Sequence, residues 1–279
     1  MEKIYLYTDE SVRTSVDRPS IVPMLIADVK AHPGVLVIPG GGYAGVCESS
    51  EGSPVGRKFN ELGYHAFILD YRTAPSRWPE PQCDAMRAMR VIRGKAEEFR
   101  LLSGQLAVCG FSAGAHLAAS LGTVCSRVND TCNDEFDDFP YMPDVMILCY
   151  GVLSLAPWSH NGTRDNLLGK ENAGNWQPFS PADNVSAVTP PAFLMHTVCD
   201  QVVPFENSMA FVRAMAEYGR PCELMLNYWG AHGMLLGKGT LDVIHWPEQA
   251  DDFIRSLALA ADDPQFLTRY TNNWQCEQL

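Results

Sequence analysis

The chain has 279 residues, 46% hydrophobic and 19% charged, which is enough apolar material for one sizeable core. A formal net charge of −12 at pH 7 sets the surface against nucleic-acid phosphates and anionic lipid, so neither is an expected partner. No apolar run approaches the roughly 18 residues needed to span a bilayer, and M-E-K-I-Y-L-Y-T-D-E lacks the pattern of an export signal.

Six apolar stretches in chain order read as buried strands: Pro33–Pro39, Tyr64–Asp70, Leu106–Phe111, Asp144–Tyr150, Ala192–Thr197 and Glu223–Tyr228. Most are continuous rather than alternating, the pattern of strands covered on both faces. K-I-Y-L-Y-T and V-P-M-L-I-A-D, within the first 30 residues, suit an antiparallel pair at one edge. Between the strands, apolar residues recur at helical spacing over Asp84–Phe99, Glu206–Tyr218 and Pro247–Ala261. Strands alternating with helices predict an α/β fold with a mostly parallel sheet between two helical layers. No repeat or linker divides the chain, so residues 1–279 are expected to form one domain. Two stretches are irregular. Asn129–Phe139 is acidic and reads as a solvated loop without calcium-loop spacing. Ser159–Pro191 is rich in Gly, Asn, Pro and Trp, and predicts a small cap or long loop at about 155–190.

Nine cysteines, an odd number with no C-x-x-C pair, point to free thiols in a cytoplasmic protein. Cys109 and Cys149 sit in apolar runs, where a thiol acts as a small hydrophobe. No metal and no cofactor are expected.

The stretch V-C-G-F-S-A-G-A-H places Ser112 between Gly110 and Gly114, after a strand and before the helix-forming A-G-A-H-L-A-A-S-L. G-x-S-x-G in that context turns a strand sharply into a helix and leaves the serine hydroxyl exposed at the carboxyl edge of the sheet. A serine hydroxyl needs an adjacent base. Asp200 directly follows A-F-L-M-H-T, and His232 follows E-L-M-L-N-Y within W-G-A-H-G-M. The order serine, acid, histidine on successive strand ends suits a nucleophile, an orienting carboxylate and a general base. Asp183, Glu206 and Asp242 are alternative acids that follow their strands less closely. Among the other histidines, His116 is expected to pack on the nucleophile helix, His65 and His196 lie in strands, and His32, His160 and His245 have no positional case.

P-G-G-G-Y, Pro39–Tyr43, follows the first long strand. The backbone N–H groups of Gly41, Gly42 and Ala113 are candidates for an oxyanion hole. The loop lacks G-x-G-x-x-G and the P-loop Lys-Ser/Thr, which argues against a nucleotide. Tyr43, Trp78, Trp158, Trp176 and Trp229 lie in loops expected at the carboxyl edge, where aromatic faces suit either sugar stacking or plain loop anchoring.

These stretches, together with L-D-Y-R-T-A-P, D-A-M-R-A-M-R, F-S-P-A-D-N-V and T-P-P-A-F-L-M-H-T, resemble the α/β-hydrolase superfamily. Within it they resemble the hormone-sensitive-lipase-like esterases and, more closely, the xylan acetylesterase-like branch. The resemblance runs from Gly34 to about Gly237. It implies an α/β-hydrolase fold and a serine carboxylesterase that removes short acyl groups, acetyl foremost, from carbohydrate. It carries the triad onto Ser112, Asp200 and His232 and the oxyanion donors onto Gly41, Gly42 and Ala113. Pro39 stands where many relatives have histidine, and Cys199 where an aspartate is frequent. The polar Ser159–Pro191 stretch does not suit the apolar lid of a long-chain lipase. A broad short-chain carboxylesterase or an arylformamidase uses the same machinery, and a non-catalytic binding protein on this fold is the reading from another class. A small-molecule or oligosaccharide ester is the expected partner, and a homodimer is compatible with the chain.

Overall fold

A computed structural model of the chain describes residues 2–7, 18–237 and 245–262. Eight strands form one sheet in the order β1-β2-β4-β3-β5-β6-β7-β8. They are β1 (Ile4–Tyr5), β2 (Ser20–Met24), β3 (His32–Ile38), β4 (His65–Asp70), β5 (Leu101–Phe111), β6 (Val145–Cys149), β7 (Ala192–Thr197) and β8 (Cys222–Asn227). β1 pairs antiparallel with β2, and β2 antiparallel with β4; every pairing from β4 through β8 is parallel.

The continuous apolar runs are the direct cause of this burial. In β3, Leu36 and Ile38 enter one hydrophobic cluster while Val35 and Val37 enter the other. In β5, Leu106 and Val108 face one way and Ala107 and Cys109 the other. Strands with two apolar faces need a helical layer on each. The main helices are α1 (Ser53–Glu61), α2 (Glu80–Gly94), α3 (Ala113–Thr123), α4 (Asn161–Leu168), α5 (Glu206–Glu217) and α6 (Trp246–Asp262). Residues of α2, α3 and α5 join the first cluster, and residues of α1 and α6 the second.

Three boundaries differ from the sequence reading. β5 begins at Leu101, because Leu101 pairs with His32 ahead of a register shift between His32 and Gly34. The inner strand of the antiparallel edge pair spans Ser20–Met24 rather than V-P-M-L-I-A-D, and Thr8 of K-I-Y-L-Y-T lies outside the described residues. The helix expected over Asp84–Phe99 starts at Glu80, where Pro81 sits in its first turn, and pauses at Lys95 before the short Ala96–Phe99 turn.

The strand order fixes the site. β3 lies beside β5, with Ile38 opposite Gly110, so the loop after β3 meets the turn after β5. The segment between β6 and β7 carries α4 and three short 3-10 turns, Lys170–Asn172, Gln177–Phe179 and Pro181–Asp183. No helix among the described residues is long and apolar enough to cross a membrane.

Candidate active site

Ser112 stands between β5 and α3 with φ 53° and ψ −119°, a conformation that L side chains seldom adopt. The flanking glycines explain how the chain affords it. A Cβ on Gly110 would lie 2.4 Å from the Gly114 carbonyl oxygen. One on Gly114 would lie 2.2 Å from the Ile38 oxygen and 2.5 Å from the Pro39 oxygen. Both sites are walled by backbone, so only glycine fits. The turn is held further by Ser112 N–H donating to the Cys149 carbonyl at 3.0 Å and Val152 N–H donating to the Ser112 carbonyl at 3.1 Å.

The structure brings Ser112, His232 and Asp200 into one hydrogen-bonded line. His232 Nδ1 is 2.8 Å from Asp200 Oδ2, and His232 Nε2 is 3.0 Å from Ser112 Oγ. A carboxylate oxygen only accepts, so Nδ1 carries the proton and Nε2 is left to accept from the serine hydroxyl. Asp200 is buried, and burial pushes its pKa up. Hydrogen bonds from His196, His232 and the Val203 N–H outweigh that and hold the carboxyl well below the usual carboxylate range. Its Oδ1 accepts the Val202 and Val203 N–H groups, both at 2.9 Å.

His196 stands behind that carboxylate. Its Nε2 donates to the Val203 carbonyl at 3.0 Å and lies 3.5 Å from Asp200 Oδ2, while Nδ1 accepts from Ser208 Oγ at 2.8 Å. Glu206 sits in the first turn of α5 and Asp183 in the 3-10 turn Pro181–Asp183, whereas Asp242 lies outside the described residues. The carboxylate on His232 is that of Asp200.

The glycine loop abuts the serine: a Cβ on Gly40 would come within 2.9 Å of Ser112 Cβ. Gly41 and Gly42 take φ +130° and +65°, and Ala113 opens α3. Among the described residues the N–H groups of Gly41, Gly42 and Ala113 donate to no backbone carbonyl outside the helices and strands. Donors left free beside a nucleophile are available to a developing oxyanion.

The aromatic residues do not converge. Tyr43 is fully buried, with its hydroxyl on His116 Nδ1 at 2.8 Å and its ring edge-on to Tyr71, so it faces the core instead of a substrate. Its positive φ of 56° turns it inward. Trp78 packs against Phe179 in a hollow with Arg77 and Leu167. Trp158 and Trp176 line another hollow with Asp183 and Arg213. Trp229 is 67% exposed, edge-on to Tyr228, three residues before His232. His116 donates from Nε2 to the Phe179 carbonyl at 2.9 Å, and burial pushes its pKa down to about 4, so it packs as expected.

Five nearby residues escaped the sequence reading. Glu51 is buried and takes hydrogen bonds from Gly40 N–H at 2.7 Å and Tyr150 Oη at 2.9 Å. Tyr150 lies edge-on to the His232 ring with centroids 5.1 Å apart. His160 caps α4 by accepting from the Thr163 N–H; burial and the nearby His232 hold its pKa down. Asn166 donates to the Gly42 carbonyl at 2.8 Å, so α4 rests on the glycine loop. The fifth is His196. The expected strand pattern gave no sign that its ring faces Asp200. Among the described residues, no group of three His, Cys, Asp or Glu side chains is arranged to hold a metal ion.

Several known proteins are similar to this chain. The BD-FAE family profile matches residues 25–215. Endo-1,4-beta-xylanase B of Butyrivibrio fibrisolvens is 34% identical over 221 residues, covering 77% of this chain and 34% of that protein. The acetylxylan esterase of Xylanibacter ruminicola is 27% identical over 229 residues, covering 80% of this chain and 44% of that protein. The chain therefore spans between a third and a half of the length of these relatives. The crystal structure of an acetyl ester-xyloside bifunctional hydrolase from Caldicellulosiruptor lactoaceticus superposes with a TM-score of 0.84 at 34% identity, covering 92% of this chain and 96% of that one.

Proposed function

The chain belongs to the BD-FAE family of esterases with the α/β-hydrolase fold, and from that premise we propose that it is a serine carboxylesterase that removes short acyl groups, acetyl foremost, from carbohydrate such as xylo-oligosaccharides. The observation that carries the reading is the line from Asp200 through His232 to Ser112, at 2.8 and 3.0 Å.

Each step follows from that geometry. His232 Nε2 takes the Ser112 proton as Oγ bonds to the ester carbonyl carbon. The electron pair of the C=O moves onto oxygen, where the Gly41, Gly42 and Ala113 N–H groups receive it. The imidazolium is stabilised by the ionised Asp200 beside Nδ1. The tetrahedral centre collapses, the C–O bond to the sugar breaks, and His232 returns the proton to the leaving alcohol. Water, deprotonated by His232, then adds to the acyl carbon; the bond to Ser112 Oγ breaks, His232 returns the proton to Oγ, and the carboxylic acid leaves. No metal or redox step is required.

The sugar preference rests on the relatives and on the exposed ring of Trp229, three residues before His232. Eight cysteines among the described residues are free, which suits a reducing compartment, and we place the enzyme in the cytoplasm acting on imported oligosaccharides. The test is acetate release from acetylated xylo-oligosaccharides, with 4-nitrophenyl acetate alongside. Release from both supports the reading. Turnover of the synthetic ester alone would discard the sugar and leave a broad short-chain carboxylesterase; turnover of neither would discard the ester chemistry.

A further inference from the structure

A second buried carboxylate, Glu51, lies close enough to His232 to feel its charge and takes no part in the proton relay. Glu51 is 6% exposed, at the end of the short Glu48–Glu51 helical turn that leads into α1. Its two oxygens are used separately: Oε2 accepts from the Gly40 N–H at 2.7 Å and Oε1 from the Tyr150 hydroxyl at 2.9 Å. Gly40 is the first glycine of the loop beside Ser112, and a Cβ there would meet both Ser112 Cβ and Glu51 Oε2 within 3.0 Å. Tyr150 directly follows β6, with an unusual positive φ of 37°, and packs its ring against that of His232 at 73°. The Leu235 N–H faces the Tyr150 oxygen, so the tyrosine accepts from the loop that carries His232 while it donates to Glu51. One carboxylate thus joins the glycine loop, the end of β6 and the histidine loop.

We propose that Glu51 is a positioning residue for this active site, tying the glycine loop to the His232 loop through Gly40 and Tyr150 and fixing a negative charge behind the imidazole. The inference rests on the serine-esterase reading above.

Burying a carboxylate is costly unless its oxygens are satisfied and its charge is used. Here both oxygens face donors, an arrangement that serves the ionised form. Burial holds the Glu51 pKa above the ordinary carboxylate value, and the Gly40 N–H, the Tyr150 hydroxyl and the charge of His232 offset only part of that rise. Tyr150 is pushed far above the ordinary tyrosine value by burial and by Glu51, so it stays a donor. The titratable groups facing His232 are then Asp200, Glu51, Tyr150 and His160. Asp200 holds the ring through a hydrogen bond; Glu51 acts through space and through the loops. Both negative charges favour the imidazolium that forms as serine attacks.

The test uses Glu51→Gln, Tyr150→Phe and wild type, with active sites counted by stoichiometric phosphonate labelling so that misfolded protein is excluded. Turnover of 4-nitrophenyl acetate is followed from pH 4.5 to 9. Per labelled site, Glu51→Gln should lower kcat about 10- to 100-fold with KM changed less than about threefold. The acid limb of kcat/KM should move to lower pH by at least about 0.5, because a negative charge near the catalytic base is gone. Tyr150→Phe keeps the charge and cuts the bridge, so it should lower kcat with a smaller movement of the limb. An unchanged limb in Glu51→Gln, or kcat within twofold of wild type, would overturn the proposal. Should Glu51→Gln fail to fold, Tyr150→Phe decides: kcat within twofold of wild type per site overturns it. Retained turnover in Ser112→Ala would instead sink the esterase reading itself.

Discussion

Gly114→Ala tests the close approach that lets Ser112 stand where it does. The new methyl would lie 2.2 Å from the Ile38 oxygen, 2.5 Å from the Pro39 oxygen and 2.7 Å from the Pro39 carbonyl carbon. All three atoms are backbone at the end of β3, a strand paired on both sides, so none can swing away as a side chain does. Relief requires α3 and β3 to part by roughly 1 Å, against close packing on both faces. Overpacking of this kind costs about 3 kcal/mol, near a 150-fold change in the folding equilibrium constant. The same movement carries Ser112 Oγ away from His232 Nε2, now 3.0 Å distant, and should cost about 100-fold in kcat. Urea unfolding measures the first effect, and turnover of 4-nitrophenyl acetate per folded molecule the second. Gly45→Ala is the control: nothing lies within 4 Å of its would-be Cβ, so it should be neutral or stabilise by up to about 1 kcal/mol. A Gly114→Ala protein within about 0.5 kcal/mol of wild type, with normal kcat, would refute the packing explanation of the G-x-S-x-G turn.

Asp200→Asn keeps the shape but presents an amide to His232 Nδ1, so kcat should fall about 10⁴-fold with little change in KM, read by steady-state kinetics. Stability should fall as pH drops from about 6.5 towards 4. Burial lowers the folded His116 pKa to about 4, so between those values the unfolded chain binds the extra proton and is favoured, by roughly 3 kcal/mol at the low end. His116→Gln, which retains one donor and one acceptor, should flatten part of that slope in urea melts at several pH values; His65, also lowered to about 4, accounts for more of it. Trp229→Ala should raise KM for acetylated xylo-oligosaccharides several-fold while leaving 4-nitrophenyl acetate unaffected, since the ring is exposed and touches only Tyr228 among the aromatic rings described. Equal effects on both esters would remove Trp229 from the sugar contact.

The parallel strands and the three central residues were readable because each leaves a local mark. A doubly buried strand is a continuous apolar run, and Ser112, Asp200 and His232 each follow one. Glycine at 110 and 114 reports a backbone contact that no larger residue tolerates. What was not readable depends on distant partners. Glu51 looks like any surface acid in E-S-S-E-G-S-P until tertiary packing buries it against Tyr150, 99 residues later. His160 reads as a loop histidine, although it caps α4 beside the glycine loop. Tyr43 misled for the opposite reason: an aromatic beside a glycine loop suggests substrate contact, yet its backbone turns the ring into the core. The start of β5 was hidden because Ser103, Gly104 and Gln105 are exposed and break the apolar run, while pairing with β3 begins at Leu101.

The most direct single measurement is peptide mass spectrometry after treatment with a fluorophosphonate. The triad predicts one adduct per chain, on Ser112, absent in Ser112→Ala and strongly slowed in His232→Ala. No adduct, or one on another residue with Ser112 unmodified, would contradict the assignment of Ser112 as the nucleophile.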